Sequence, residues 1–265
     1  MNESIVDLGH GRFGVLHGSQ DPAAVMLVLL SAGAVHRQGP FRLYVQLARR
    51  MAAIGFRSFR FDQPGIGDSL QAAERPQREI VGEVLDRLQA QTGCARFIVG
   101  GICSAADAAW QLALTDPRVC GLLLLDPVAY SPRWFRFGRL LRLRSPASIL
   151  AALKRRLAGF ATRAPRGQLA VESDYRDWPK PSEAGPQLTI LCARGVEVFA
   201  LYTGGVANYF LHPRQFADTF GNAAADPHVQ FQYWPDVDHL FYRPADRARL
   251  IDQLCTWTQS RFARP

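Results

Sequence analysis

Along this chain, short runs that are apolar at every position alternate with stretches in which apolar residues recur every three to four positions. Residues 25–30 are wholly apolar, as in a strand covered on both faces. The loop 31–34 leads from them into a helix-periodic segment over 41–54. Gly55 stops that helix, strand character returns over 56–62, and 64–69 is a turn-rich loop. The pattern then predicts a helix over 79–91, a strand over 95–100, a helix over 104–115 and a strand over 121–126 closed by Pro127. After a lapse it resumes with a short helix over 188–194, strands over 196–203 and 229–234, and a closing helix over 245–260. Strands apolar on both faces, alternating with amphipathic helices, predict an α/β fold with a mostly parallel sheet covered on both sides. Ligands of such sheets bind beyond the carboxyl ends of the strands.

The chain has 265 residues, 48% of them hydrophobic, enough for one large core and short for two. The alternation lapses over 127–186, a segment rich in Arg, Trp, Pro and Leu. That predicts a cap or lid inserted into a core formed by 1–126 and 187–265. The formal net charge is +8, and much of it falls there. No Asp or Glu occurs from Pro127 through Val171, whereas Arg133, Arg136, Arg139, Arg142, Arg144, Lys154, Arg155, Arg156, Arg163 and Arg166 do. Such a cluster suits an anionic partner, and no nucleic-acid motif accompanies it. Trp134, Phe135, Phe137 and Leu140 interleave with the arginines and are read as the substrate-facing residues of the lid. Interfacial helices have the same interleaving, so peripheral contact with an anionic membrane stays open. The first residues carry no apolar leader and no apolar run reaches the ~18 residues of a membrane span, so a soluble, cytoplasmic protein is expected. The five cysteines are scattered, without CxxC pairs or Cys/His metal spacing. Reduced thiols, no structural zinc and no cofactor are expected.

Candidate chemistry centres on residues 97–106, FIVGGICSAA, which read as a nucleophile elbow. There the nucleophile is strained between strand and helix, and the residues two before and two after it must be small. Gly101 and Ala105 meet that requirement for Cys103, whereas centring on Ser104 would put β-branched Ile102 where a small residue is needed. A lone cysteine is more commonly a buried core residue; its partners elsewhere decide. His239, in the 235–241 loop after the last predicted strand, is the candidate base. His10 and His17 precede the sheet, His228 starts a strand and His212 follows Tyr-Phe-Leu, all poorer positions. The usual acid loop, 204–212, contains no carboxylate, so Asp126, at the end of the strand after the nucleophile's helix, is the candidate acid. Asp236 and Asp238 lie too close in sequence to hold the imidazole. The N–H groups of Ser104 and of Ala34, behind flexible Gly33, are the candidate oxyanion donors.

With Gly33, His36-Arg37, 39–42, 60–62, 65–69, 101–104, 125–127 and Asp238-His239, the chain resembles the α/β-hydrolase superfamily. Within it, the chain is similar to hydrolases associated with exosortase and exopolysaccharide gene clusters. The acid on the strand after the nucleophile resembles thioesterase domains of polyketide and nonribosomal peptide synthesis, which implies ester or thioester substrates. A Gly-x-Cys-x-small elbow also resembles dienelactone hydrolases, which carry the acid one strand later. The expectation is an acyl hydrolase or acyltransferase with a Cys103–His239–Asp126 triad and a covalent acyl-enzyme, an acidic acyl-carrier protein suiting the basic lid. A non-catalytic relative that binds a ligand or partner is the alternative.

Overall fold

The computed structural model describes residues 3–18, 25–70, 75, 77–130, 132–142 and 177–263. In chain order they form β1 (Glu3–Gly9), β2 (Arg12–His17), β3 (Met26–Leu29), α1 (Leu43–Ala53), β4 (Arg57–Phe61), α2 (Gln77–Thr92), β5 (Phe97–Ile102), α3 (Ser104–Thr115) and β6 (Val119–Leu125). Then follow α4 (Pro132–Arg142), α5 (Pro181–Ala193), β7 (Glu197–Thr203), α6 (Arg214–Phe220), β8 (Val229–Trp234) and α7 (Pro244–Phe262). The strands make one eight-stranded sheet in the order β1-β2-β4-β3-β5-β6-β7-β8. It is parallel from β4 through β8, with β1 and β2 antiparallel at one edge.

The wholly apolar runs have a direct cause. Successive side chains of a strand point to opposite faces, and both faces here are covered. Phe97 and Val99 of β5 and Leu122 and Leu124 of β6 join a core with Leu85 of α2, Trp110 of α3 and Leu188 of α5. Ile98, Leu123 and Leu125 face the other way, onto Leu47 and Met51 of α1 and Leu254 and Trp257 of α7. No helix among the described residues is long and apolar enough to cross a membrane.

Three features depart from the sequence reading. The β1–β2 hairpin extends the sheet beyond the predicted strands, so His17 does not precede the sheet: it lies buried in β2, paired with Glu3 at 3.0 Å. The hairpin was hidden because its outer strand is half-exposed, with Ile5 75% open to solvent and only Val6 and Leu8 packed inward. Helix α6 follows the 204–212 loop in a stretch to which the pattern assigned no element. Helix α5 starts at Pro181 rather than at 188, so the cap boundary set at 186 falls inside it. Pro186 costs one helical hydrogen bond, but Ala184, Leu188 and Leu191 are buried in the core, and Pro181 at the first helical position begins the helix without loss. Just before it, Trp178 stacks on Trp110 with ring centroids 5.0 Å apart. Within the expected cap, 132–142 is helical; Arg144, Lys154, Arg155, Arg156, Arg163 and Arg166 lie outside the described residues.

Two glycines make opposite predictions. A Cβ at Gly100 would sit 2.0 Å from the backbone oxygen of Leu123 on the neighbouring strand, so Gly100→Ala should lower the unfolding free energy by about 1–3 kcal/mol, the usual cost of overpacking. At Gly82, in α2, a Cβ meets nothing within 4 Å, and Gly82→Ala should raise it by roughly 0.5–1 kcal/mol. Urea denaturation of the two variants checks both signs.

Candidate active site

The sheet ends β5 at Ile102 and starts α3 at Ser104, leaving Cys103 alone to make the turn. Its backbone is at φ +59°, ψ −125°, a conformation that costs energy for any residue but glycine. The neighbours show how it is sustained. The Cys103 N–H donates to the Leu125 carbonyl at 2.8 Å. A Cβ at Gly101 would lie 2.7 Å from the Leu30 carbonyl oxygen and 2.8 Å from the Ala105 Cβ, so the small residues on either side are required by close approach. Beneath the turn lies Tyr44, 2% exposed, whose hydroxyl accepts the Ile102 N–H at 3.1 Å. Burial and the nearby Cys103 hold that phenol above its ordinary pKa, outweighing the Ile102 bond.

Asp126 ends β6 one strand over. It is fully buried, and its backbone is also left-handed, with φ +53°. Oδ1 accepts the Thr203 N–H at 2.6 Å. Oδ2 accepts the Thr203 hydroxyl at 2.8 Å and pairs with His239 Nδ1 at 2.7 Å. The Asp126 carbonyl accepts the Tyr209 hydroxyl at 2.9 Å. His239 arrives on the loop after β8, which packs so tightly on the end of β7 that a Cβ at Gly205 would lie 2.1 Å from the His239 nitrogen. With Nδ1 committed to Asp126, the ring's other nitrogen serves the hydrogen bond to Cys103. Burial opposes a charge on the imidazole, yet the hydrogen bonds and charges of Asp126 and Cys103 prevail and push its pKa up to about 10. Asp238 does not compete for the ring: its oxygens accept the Leu240 and Tyr242 N–H groups, each at 2.9 Å.

Cys103, His239 and Asp126 are therefore brought together. The other cysteines sit in different surroundings. Burial pushes Cys120 up to about 11 and, with the Asp226 and Glu197 charges, Cys192 up to about 12; it also raises Cys94 and Cys255. Ser104 opens α3, and its hydroxyl accepts the Gly33 N–H at 3.2 Å, which ties the β3 loop to the elbow. Ala34 is the exposed next residue of that loop. His212 is away from the triad, stacked on Trp134 with centroids 4.8 Å apart, and His228 pairs with Glu197 at 2.8 Å.

Two further residues shape the site without any signal in the hydropathy pattern, Thr203 and Tyr44, each a polar group inside an apolar run. A third device lies above β4. Arg37 bonds Asp62 through its guanidinium and its N–H and reaches Asp68 at 2.8 Å, locking the loop 62–68 against the β3 loop. His36, Asp62 and Asp68 bring ligand-type atoms within 4.8 Å of one another, but the Arg37 cation already bonds both carboxylates.

Solved structures with this architecture cover nearly the whole chain. A proline iminopeptidase-related protein from Thermus thermophilus superposes with a TM-score of 0.55 at 19% identity, over 99% of each chain. A thermophilic esterase from Thermogutta terrifontis gives 0.58 at 15% identity, over 99% of this chain and 100% of its own. Mouse alpha/beta hydrolase domain-containing protein 10 gives 0.56 at 14%, over 98% and 99%. The chain has the α/β-hydrolase fold. The sequence matches no protein-family profile and no curated protein sequence. In this fold Cys103 makes the turn between β5 and α3, His239 lies in the loop after β8, and Asp126 follows β6, the strand paired with β5.

Tyr44→Phe should leave the buried Ile102 N–H without its acceptor, at a cost of about 1–3 kcal/mol. Urea denaturation measures the loss, and Tyr202→Phe, which removes a hydroxyl from the Val128 carbonyl away from the elbow, is the control. Cys103 alkylation should slow in the first variant and not in the second.

Proposed function

We propose that the protein is a cysteine-dependent acyl hydrolase or acyltransferase, acting on ester or thioester substrates through a Cys103–His239–Asp126 triad. The observation that carries this reading is the placement of the His239 ring between buried Asp126, 2.7 Å from its Nδ1, and Cys103, at the end of the sheet where this fold presents ligands. Relatives in fold include an esterase and a proline iminopeptidase-related protein, names that fit acyl transfer to water.

In this mechanism Cys103 passes its proton to His239, which Asp126 orients, and reacts as the thiolate. The thiolate attacks the acyl carbonyl. A carbon–sulfur bond forms and the carbonyl π electrons move to oxygen, where the N–H groups of Ser104 and Ala34 receive the charge. As the tetrahedral species collapses, the bond to the leaving alcohol or thiol breaks, and His239 supplies that group's proton. The neutral imidazole then takes a proton from water, an alcohol or an amine. Attack by that nucleophile releases the acyl group, and Cys103 departs as thiolate beside the restored imidazolium. The acyl-enzyme is a thioester, reactive toward each of these acceptors.

The test is intact-mass analysis after incubation with a short-chain acyl thioester. The wild type should gain one acyl mass, the Cys103→Ala variant none, and Ser104→Ala should still be acylated. An adduct that persists in Cys103→Ala and is lost in Ser104→Ala would refute the assignment. Turnover by Cys103→Ala should fall by at least about 10³-fold, as expected when a covalent nucleophile is removed.

A further inference from the structure

Beyond Asp126 the chain turns outward into α4, whose surface is unusual. Gly138 fixes how the helix is docked, because a Cβ there would lie 2.7 Å from the Leu211 Cβ and 3.1 Å from its carbonyl oxygen. On the opposite side, at the i, i+3, i+4, i+7 spacing of one helical face, stand Arg133, Arg136, Phe137 and Leu140. Phe137 is 43% and Leu140 63% exposed. This face and the start of α6 enclose an open groove of about 750 Å³, to which His212 and Arg214 also contribute, a size typical of small-molecule sites.

The groove is chemically one-sided. Its described lining carries three guanidinium groups, from Arg133, Arg136 and Arg214, and no carboxylate. Trp134 forms its floor and is held from two sides: His212 stacks on it at an interplanar angle of 17°, and the Arg214 guanidinium lies 4.6 Å from the ring centroid. His212 Nδ1 accepts the Arg214 N–H at 3.2 Å, and burial together with the Arg214 charge holds this imidazole below its ordinary pKa. It therefore serves as a neutral stacking plate. The cationic groups facing the groove are thus arginines from two separate elements, with apolar surface beside them. Arginine forks suit the oxygens of phosphate, and Phe137 and Leu140 suit an apolar arm attached to it.

Position adds a second constraint. Arg133 follows Asp126 by seven residues, at most about 25 Å of extended chain. Tyr130, between them, ties the connection to α6 through a 2.9 Å bond from its N–H to the Thr219 hydroxyl. The separation of Arg133 from Asp126 is thus bounded at a length that one elongated substrate can span.

We propose that this groove binds the phosphate-bearing end of the acyl donor, a thioester whose leaving thiol is tethered to phosphate, as in coenzyme A thioesters. The assignment of that ligand as donor rests on the acyl-transfer reading above; the binding site does not.

The test is calorimetric titration of the full-length protein with desulfo-coenzyme A, which has the phosphates and no sulfur to react with Cys103. Binding at low salt should weaken about tenfold or more in the Arg136→Gln/Arg214→Gln double variant and weaken with added salt; Arg136→Gln alone, which leaves the Arg214–Trp134 contact intact, should weaken it in the same direction with the thermal unfolding midpoint unchanged. In turnover, the double variant should raise KM for hexanoyl-coenzyme A and leave KM for the hexanoyl thioester of N-acetylcysteamine, which has no phosphate, unchanged. Absence of binding, or equal affinity in wild type and variant, overturns the proposal. So does binding of phosphatidylglycerol-containing vesicles without binding of desulfo-coenzyme A, which would assign the groove to lipid. Should Cys103 fail to be acylated while desulfo-coenzyme A binds in an arginine-dependent way, the site stands and the acyl-transfer reading falls.

Discussion

The Asp126 carboxylate lies at the buried end of β6 with no access to solvent, and a buried carboxylate is tolerable only when its oxygens are met by donors. Thr203 meets both, through its N–H and its hydroxyl, and His239 shares the second oxygen. This one carboxylate thus joins three segments far apart in sequence: the end of β6, the end of β7 and the loop after β8. The left-handed backbone at Asp126 and the close approach of Gly205 to His239 are what that convergence demands of the chain. Without the carboxylate, the imidazole would lose the partner that fixes its orientation and tautomer.

The same contact sets the electrostatics of the sulfur. Burial opposes a charge on His239, and Asp126 and Cys103 on either side of it together outweigh that burial and raise its pKa. A cation so held acts on a cysteine already strained into the turn, at the N-terminus of α3, where free N–H groups point outward. At the other cysteines burial prevails and makes the thiols poor acids, even where an arginine lies near, as Arg96 does to Cys94 and Cys120 and Arg50 to Cys255. Of the five cysteines, Cys103 is thus the one placed beside an imidazole and at the start of a helix.

The central sheet was legible because strands buried on both faces leave wholly apolar runs, and because each run ends where a chemically distinct residue begins. Cys103 and Asp126 directly follow β5 and β6, and His239 lies in the loop after β8, so these three were nominated from where the strands end. The β1–β2 hairpin was not legible in this way, since an edge strand with Ile5 outside and Asp7 beside it breaks the pattern. Helix α5 was shortened in the reading because Pro186 marks a break locally, whereas burial of Ala184 and Leu188 overrides it. Thr203 and Tyr44 were missed for a different reason. Their hydroxyls act on other elements, that of Thr203 from β7 on Asp126 and that of Tyr44 from α1 on Ile102, and no spacing along the chain encodes those partners.

The most direct test of the triad is the titration of the His239 ring followed by ¹⁵N NMR of imidazole-labelled protein. The account predicts a ring that stays doubly protonated through neutral pH and loses its proton near pH 10, with Asp126→Asn moving the transition down toward the ordinary 6.5. A wild-type ring that titrates near 6.5 and is indifferent to Asp126→Asn would contradict it.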